Sequence, residues 1–294
     1  MHFPVSGVDC PVWVPPALAF VIALVTAPAG LSGAFLLLPF QMSVLGFTSP
    51  GVTPTNLLYN VVAIPGGVYG YLREGRMTWP LTWIVIAGTL PGMLFGAVIR
   101  VRYLVAPHSV KLFVGLVLAY MAVRLFWDLR RRTSPLGIPA DAVVRTTLAS
   151  ARTVEYEFRG EHFSYRPAPL FVLALIVGVI GGIYGVGGGA IIAPYVIAIL
   201  QLPAYTIAGA ALFATFLTSI AGVAAFELLG RTSLAGGAPV QPDWILGLLF
   251  GAGGLFGSYC GARLQRYLPE RWIKTFIGLL IAALAAQYIA QFFR

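Results

Sequence analysis

The stretch GGIYGVGGGAIIAPYV, residues 181–196, carries six glycines in its first nine positions. No Asp, Glu, Lys or Arg lies within fourteen residues of either end. Glycine-rich runs occur in two unrelated classes of protein, soluble nucleotide-binding domains and membrane transporters. The composition of the whole chain decides between these two classes.

The chain is too apolar for a soluble domain. Of its 294 residues 59% are hydrophobic and only 10% are charged, and the mean hydropathy is +0.86. Two charge-free runs, 10–72 and 167–226, are each long enough for about three membrane crossings at roughly 20 residues per helix. Shorter apolar segments follow at 77–99, 108–127, 244–262 and 272–293. These features predict an all-α polytopic membrane protein.

A net charge of +9 would suggest nucleic acid as a partner of a soluble chain. Here the arginines fall in loops between apolar segments, which is typical of the positive-inside bias of membrane proteins. We therefore expect the lipid bilayer as a partner and no nucleic acid. No metal site and no cofactor are expected from the residues.

The sequence contains an internal repeat. A shift of 155 positions places Gly30 on Gly185, Gly33 on Gly188 and Pro39 on Pro194. After a longer loop in the second half, VKLFVGL at 110–116 corresponds to IKTFIGL at 273–279. We predict a first transmembrane repeat at 1–129, a cytoplasmic connector at 130–167 and a second repeat at 168–294, with about four helical elements in each repeat.

The connector is expected to contain a β-hairpin. The segment TVEYEFRGEHFSY, 153–165, alternates apolar and polar residues around the dipeptide Arg159-Gly160. A two-residue turn of this kind between alternating segments favours a hairpin.

Both repeats should begin with an interrupted helix. The interruptions are APAGLSG at 27–33 and GGIYGVGGG at 181–189. Glycine costs about 1 kcal/mol in a helix interior and proline about 3 kcal/mol, so these stretches should unwind. Helices are then expected to begin at Ala34 and Ala190, and a third at TPTN (53–56) with Thr53 as its N-cap.

Two arrangements of the repeats fit the sequence. Four plain crossings per repeat would give parallel repeats, with twelve of the nineteen Lys and Arg residues on one side. If each broken element returns to the side of the membrane on which it began, the repeats are inverted. The side that holds the connector then carries fourteen of the nineteen Lys and Arg residues. The charge distribution favours inversion, with the connector in the cytoplasm.

Helix starts that meet at the bilayer centre would form an anion site, because their free N–H groups and dipoles favour negative charge. Nearby side chains that could donate hydrogen bonds are uncharged, which would allow an anion to bind and leave. The predicted substrate-binding residues are Gly30, Ser32, Gly33, Gln41, Thr55, Asn56, Asn60, Gly185, Gly187, Gly188, Gly189, Thr215 and Thr218.

At these residues the chain resembles the TauE/SafE sulfite exporter family of membrane transporters. GVGGGAIIAP at 185–194 is similar to that family's GxGGGxxxxP element, and the first repeat keeps Gly30, Gly33 and Pro39 in GLSGAFLLLP, 30–39. The resemblance implies export or exchange of small sulfur-containing anions, such as sulfite or organosulfonates, across a bacterial inner membrane. It also implies an ion gradient of protons or sodium as the energy source. Homodimerisation is left open.

Four other functions fit the sequence less well. GLSG at 30–33 matches the element around an intramembrane serine nucleophile, but His2, His108 and His162 all lie in tails or loops, where none could serve as its base. A dinucleotide-binding site would need a strand before the glycines and an acidic residue after them, and the sequence provides neither. A proton or cation channel would need intramembrane carboxylates, and Glu227, the one candidate, is expected to pair with Arg231 four residues on. A non-transporting assembly protein stays open.

Overall fold

The computed structural model describes most of the chain. The described residues are 1–27, 32–73, 75, 77–130, 144–150, 152–158, 160–189, 191–192, 196, 204–232, 238–264 and 270–293. Gly30, one of the predicted binding residues, and Ala190, a predicted helix start, lie outside them.

Within these ranges the fold is mainly helical. The helices are α1 (Val14–Thr26), α2 (Ala34–Ser43), α3 (Val52–Ala63), α4 (Pro65–Arg73), α5 (Trp79–Arg102), α6 (Pro107–Arg130), α7 (Pro167–Tyr184), α8 (Ala204–Leu229), α9 (Trp244–Leu264) and α10 (Glu270–Phe292). Prolines in the first turns of α1, α5 and α7 fit there, since no N–H is needed at that position.

Six helices of the described part are long and apolar enough to cross a membrane, namely α5 to α10, and α1 and α2 are shorter apolar helices. The prediction of a polytopic helical membrane protein is confirmed. The chain is an integral multi-pass membrane protein.

Helices α5 and α7 pack closely and run in parallel. Small residues spaced four apart face each other along the contact: Gly88, Gly92 and Gly96 of α5 against Ala174, Gly178 and Gly182 of α7. Small residues let the two backbones approach, as in other membrane helix pairs. Helices α1 and α9 form a similar parallel pair, with Gly253, Gly257 and Gly261 against Pro16, Phe20 and Leu24.

Helix α3 also runs parallel to α9, since Gly247 faces Leu58 and Gly251 faces Val62. Because α1 and α3 both run parallel to α9, they point in the same direction. The chain must therefore return to its starting side between them, and α2 lies on this return path.

Two further helix pairs are antiparallel. Gly115 of α6 contacts Tyr288 near the end of α10, whereas Gly278 contacts Phe126 near the end of α6. Likewise α8 runs against α3 and α4, with Gly222 beside Leu57 and Gly67 beside Leu212.

The described strands form two small antiparallel sheets. A three-stranded antiparallel sheet has the order β3 (Arg145–Ala149), β4 (Val154–Phe158) and β5 (Glu161–Tyr165), and a two-stranded ribbon pairs β1 (His2–Phe3) with β2 (Val8–Asp9). Phe158 pairs with Glu161, and Gly160 between them has a φ of 78°. The hairpin therefore turns between Phe158 and Glu161, where the sequence indicates, and Arg159 of the predicted dipeptide lies outside the described residues.

Candidate functional site

The two interruptions take different forms. Helix α1 ends at Thr26 and α2 begins at Ala34, as predicted. Helix α7 ends at Tyr184, where Gly185 adopts a left-handed conformation with φ 82° and donates its N–H to Gly181 O at 2.7 Å. Gly187 also has a positive φ, 80°. Helical backbone resumes at Gly188, two residues before the predicted start at Ala190.

Asn56, in the middle of α3, connects the two interruptions. Its Nδ2 donates to Ala34 O at 3.1 Å, in the first turn of α2, and to Gly185 O at 2.9 Å, at the end of α7. Its Oδ1 accepts a hydrogen bond from Gln41 Nε2 at 3.2 Å. One buried carboxamide therefore holds the first interruption against the second.

Asn60, one turn further along α3, makes a second connection of the same kind. Its Oδ1 accepts from Ser32 Oγ at 2.9 Å and its Nδ2 donates to Val186 O at 2.9 Å. Ser32 Oγ in turn accepts from Ala34 N at 3.3 Å, so Ser32 also holds the first residue of α2. The structure thus brings together Ser32, Gln41, Asn56, Asn60 and Gly185.

A proline supplies a third connection. Pro39 lies inside α2 and has no N–H, so the carbonyl of Phe35 loses its usual helical donor. Tyr184 Oη donates to Phe35 O at 2.8 Å in its place. The last residue of α7 therefore completes the hydrogen bonding of α2.

The glycines at 187–189 are required by close packing. A Cβ on Gly187 would lie 2.7 Å from Thr215 Cγ2, and one on Gly188 would lie 2.6 Å from Thr89 Cγ2. A Cβ on Gly189 would overlap the carbonyl oxygen of Ala211 and lie 2.6 Å from Thr215 Oγ1. At Gly33 a Cβ would overlap the hydroxyl of Tyr59. These positions allow α5, α8 and the resumed helix to converge.

The predicted threonines have other partners. Thr215 and Thr218 donate to the carbonyls of Ala211 and Ala214, four residues earlier in α8. Thr55 donates to Gly51 O at 2.8 Å and accepts from Asp243 N at 2.9 Å, so it anchors the start of α9. Thr55 therefore lies away from the connections that Asn56 and Asn60 make.

Two buried polar atoms near the interruptions have no hydrogen-bond partner within the described part of the chain. They are Gln41 Oε1 and Ser219 Oγ. Ser219 Oγ would lie 3.2 Å from a Cβ on Gly187, and Gln41 Nε2 is bonded to Asn56. Unpaired buried polar atoms are costly, so each marks a position where a ligand or water can bind.

Sequence reasoning missed two polar residues beside the second interruption. Thr53 is not the N-cap of α3, since that helix begins at Val52 with Gly51 as its cap. Its hydroxyl donates to Ile183 O at 3.4 Å and accepts from Arg100 Nε at 3.1 Å. Arg100 is fully buried, so the expectation that only uncharged side chains surround the helix starts is wrong on this point. No sequence signal separated Arg100 from the exposed Arg102 two residues on.

The expected ion pair on α8 is confirmed. Arg231 Nη2 lies 3.1 Å from Glu227 Oε1, and Gln241 Nε2 donates to the same oxygen at 3.2 Å. The Arg231 side chain is 68% exposed, which places the pair at the protein surface.

Glu227→Gln should therefore lower the free energy of unfolding by less than about 1 kcal/mol, because exposed i,i+4 pairs contribute only about 0.3–0.5 kcal/mol. Thermal unfolding in detergent checks this. A loss of about 3 kcal/mol or more would instead indicate a buried ion pair.

Comparison with known proteins agrees with this architecture. The family model described as sulfite exporter TauE/SafE matches residues 16–288. The chain belongs to the TauE/SafE family. Probable membrane transporter protein YunE of Bacillus subtilis (strain 168) is 22% identical over 283 residues, covering 93% of this chain and 96% of that relative.

Other TauE/SafE relatives cover the chain almost as fully. Probable membrane transporter protein y4hK of Sinorhizobium fredii is 23% identical over 89% of this chain and 92% of its own length. A probable membrane transporter protein of Xylella fastidiosa (strain 9a5c) is 24% identical over 88% of each chain. No solved structure matches the chain. This TauE/SafE chain is thus a member of a family of membrane transporters.

Proposed function

We propose that this protein is a secondary-active carrier, an exporter or exchanger, of small sulfur-containing anions such as sulfite or organosulfonates. The observation that supports the proposal most is the pair Asn56 and Asn60, which joins both helix interruptions through α3. Interrupted helices that meet inside a membrane protein are the usual means of building an ion site without a charged cage. The family to which the chain belongs supports the substrate class.

The proposed anion site lies between the start of α2 and the helix that resumes at Gly188. Both starts direct the positive ends of their dipoles toward this region. Asn60 and Gln41 each have one amide hydrogen that forms no bond with another described residue. An oxyanion can accept from these two amide hydrogens, while Asn56 holds the start of α2 against the end of α7.

The helix directions support an inverted repeat. A two-fold axis in the membrane plane would exchange α1 with α7, α3 with α8, α5 with α9 and α6 with α10, and exchanged helices would run antiparallel. Both pairs of this kind that are in contact, α3 with α8 and α6 with α10, are antiparallel. The parallel pairs α1–α9 and α5–α7 would be images of each other. If the repeats were parallel, corresponding helices would run in the same direction, and α3 with α8 and α6 with α10 would not be antiparallel.

The inverted arrangement is compatible with a cytoplasmic connector in a bacterial inner membrane. It would place fourteen of the nineteen Lys and Arg residues on the connector side. We propose a proton or sodium ion as the coupling ion, and rocking of the two halves about the interruptions as the transport step. A homodimer would be compatible with this step, since each chain would hold a complete site.

Counterflow in proteoliposomes tests the proposal. Vesicles containing the purified full chain are loaded with unlabelled sulfite, methanesulfonate, sulfoacetate, acetate or chloride, and uptake of labelled anion is followed. We expect saturable exchange of at least one sulfur anion and none of chloride. Non-saturable flux would indicate a channel, and no exchange of any sulfur anion would refute the proposed substrate class. Repeating uptake with imposed proton or sodium gradients identifies the coupling ion.

A further inference from the structure

Arg100 is an unusual residue for the interior of this protein. It lies in the last turn of α5, and none of its surface is exposed. Its Nε donates to Thr53 Oγ1 at 3.1 Å and its Nη1 to the carbonyl of Leu104. The remaining terminal nitrogen, Nη2, is buried and has no partner among the described residues.

The charge of Arg100 is also uncompensated. Arg100 takes part in neither of the two surface ion pairs, His2 with Asp9 and Arg231 with Glu227. Asp243, the one acidic side chain that is buried in the described part, accepts hydrogen bonds from Ser6 and from Leu246 N. A buried guanidinium without an anionic partner is strongly unfavourable, so its retention favours a ligand that brings the negative charge.

Arg100 is joined to the second interruption through a single residue. The Thr53 hydroxyl that accepts from Arg100 donates to Ile183 O in the last turn of α7. The main chain of Thr53 also lies against Gly185, where a Cβ would be 2.6 Å from Thr53 O. The unsatisfied guanidinium therefore lies beside the end of α7 and one turn of α3 away from Asn56, the residue that joins the two interruptions.

We propose that Arg100 binds the anionic headgroup of the substrate and sets the specificity for a monovalent oxyanion. This inference rests on the proposed function. It adds one charged residue to a site that was otherwise proposed from glycines and uncharged donors. The unpartnered Nη2 and the second N–H of Nη1 lie in one plane, which matches two oxygens of a sulfonate or sulfite. One positive charge, already bonded at Nε and Nη1, balances one negative charge.

The inferred headgroup site belongs to one half of the chain. A shift of 161 positions, which places Trp83 on Trp244, also places Arg100 on Gly261, which packs against Leu24 of α1 and Ala27 directly after it. The second half has no cation at the corresponding position, so the pseudo-symmetry is broken at the site. We therefore expect one headgroup, bound next to Thr53, for each chain.

Anion binding to the purified full chain tests this assignment. The dissociation constants of methanesulfonate and sulfite are measured from ligand-induced rises in the thermal unfolding temperature, at constant ionic strength in chloride. Arg100→Gln should weaken binding by about tenfold or more, since a charge-assisted hydrogen bond is lost. Arg100→Lys keeps the charge but not the planar pair of donors, and should also weaken binding by about tenfold. Arg102→Gln, exposed and two residues on, is the matched control and should bind as wild type does.

Each outcome decides the assignment. A purely structural arginine would lower the unfolding temperature of Arg100→Gln but leave the ligand-induced rise intact, and this result overturns the proposal. If Arg100→Gln does not fold, wild-type affinity in Arg100→Lys overturns it equally. Unaltered binding in the Arg100 variants together with saturable wild-type counterflow would refute the role of Arg100 but not the proposed function. A wild-type chain that neither binds nor exchanges any sulfur anion would refute the proposed function as well.

Discussion

Gly189→Ala is expected to reduce anion counterflow by at least about tenfold while the protein still inserts into the membrane. The added methyl group would overlap the carbonyl oxygen of Ala211 and lie 2.6 Å from Thr215 Oγ1. A main-chain carbonyl in a helix cannot move aside as a flexible side chain can, so the resumed helix and α8 must separate. The geometry of the second helix start would then be lost. Initial rates in proteoliposomes, normalised to the amount of reconstituted protein, measure the effect.

Gly66→Ala provides the matched control for this substitution. Gly66 is exposed near the start of α4, and a Cβ there would meet only Leu255 Cδ1 at 3.5 Å, an ordinary contact. Its counterflow should equal that of wild type. Wild-type flux in Gly189→Ala would show that the convergence of α8 with the resumed helix is irrelevant to transport.

Asn56→Leu is expected to give the largest loss of stability among the side chains of the site. Leucine has a similar size but leaves Ala34 O, Gly185 O and Gln41 Nε2 without their present partner. Each unpaired buried group costs about 1–3 kcal/mol, so we expect a total loss of about 3 kcal/mol or more. Transport should be lost too, since the two interruptions are no longer held together. Thermal unfolding in detergent and counterflow in proteoliposomes measure the two effects.

Thr82→Val is a suitable comparison for Asn56→Leu. Thr82 is fully buried, and its hydroxyl donates to Thr78 O at 2.9 Å within its own helix. Its replacement removes one local hydrogen bond, and the expected cost is about 1 kcal/mol with transport retained. Equal losses in the two variants would mean that Asn56 has no special role in joining the halves.

The sequence was sufficient to predict features that depend on local chemistry. The helix start at Ala34, the turn at Gly160 and the pair Glu227–Arg231 each follow from a few neighbouring residues. The second interruption was also predictable, because only glycine adopts the positive φ of Gly185 and Gly187 without strain. The start of the resumed helix was missed by two residues, since glycine is a poor indicator of a helix boundary.

Features that depend on contacts between distant segments were not predictable. Asn56 and Asn60 were expected to donate to an anion, whereas they donate mainly to carbonyls of the interrupted helices. The hydroxyls of Thr215 and Thr218 have two kinds of acceptor within reach in principle, an anion and the carbonyl four residues earlier. The sequence alone does not show which one accepts. Arg100 directly follows the apolar segment 77–99 and was expected in a loop with the other arginines, and only the packing around Thr53 distinguishes it.

The reliance of α2 and α3 on Tyr184, Gly185 and Val186 has a consequence for biosynthesis. Ala34 O accepts from Asn56 Nδ2, whose other acceptor, Gly185 O, belongs to a segment translated much later. Until that segment leaves the ribosome, Phe35 O and one donor each of Asn56 and Asn60 face lipid or water. We therefore expect the first half to remain a loosely packed intermediate in the translocon, and to reach its final packing only after α7 has been inserted.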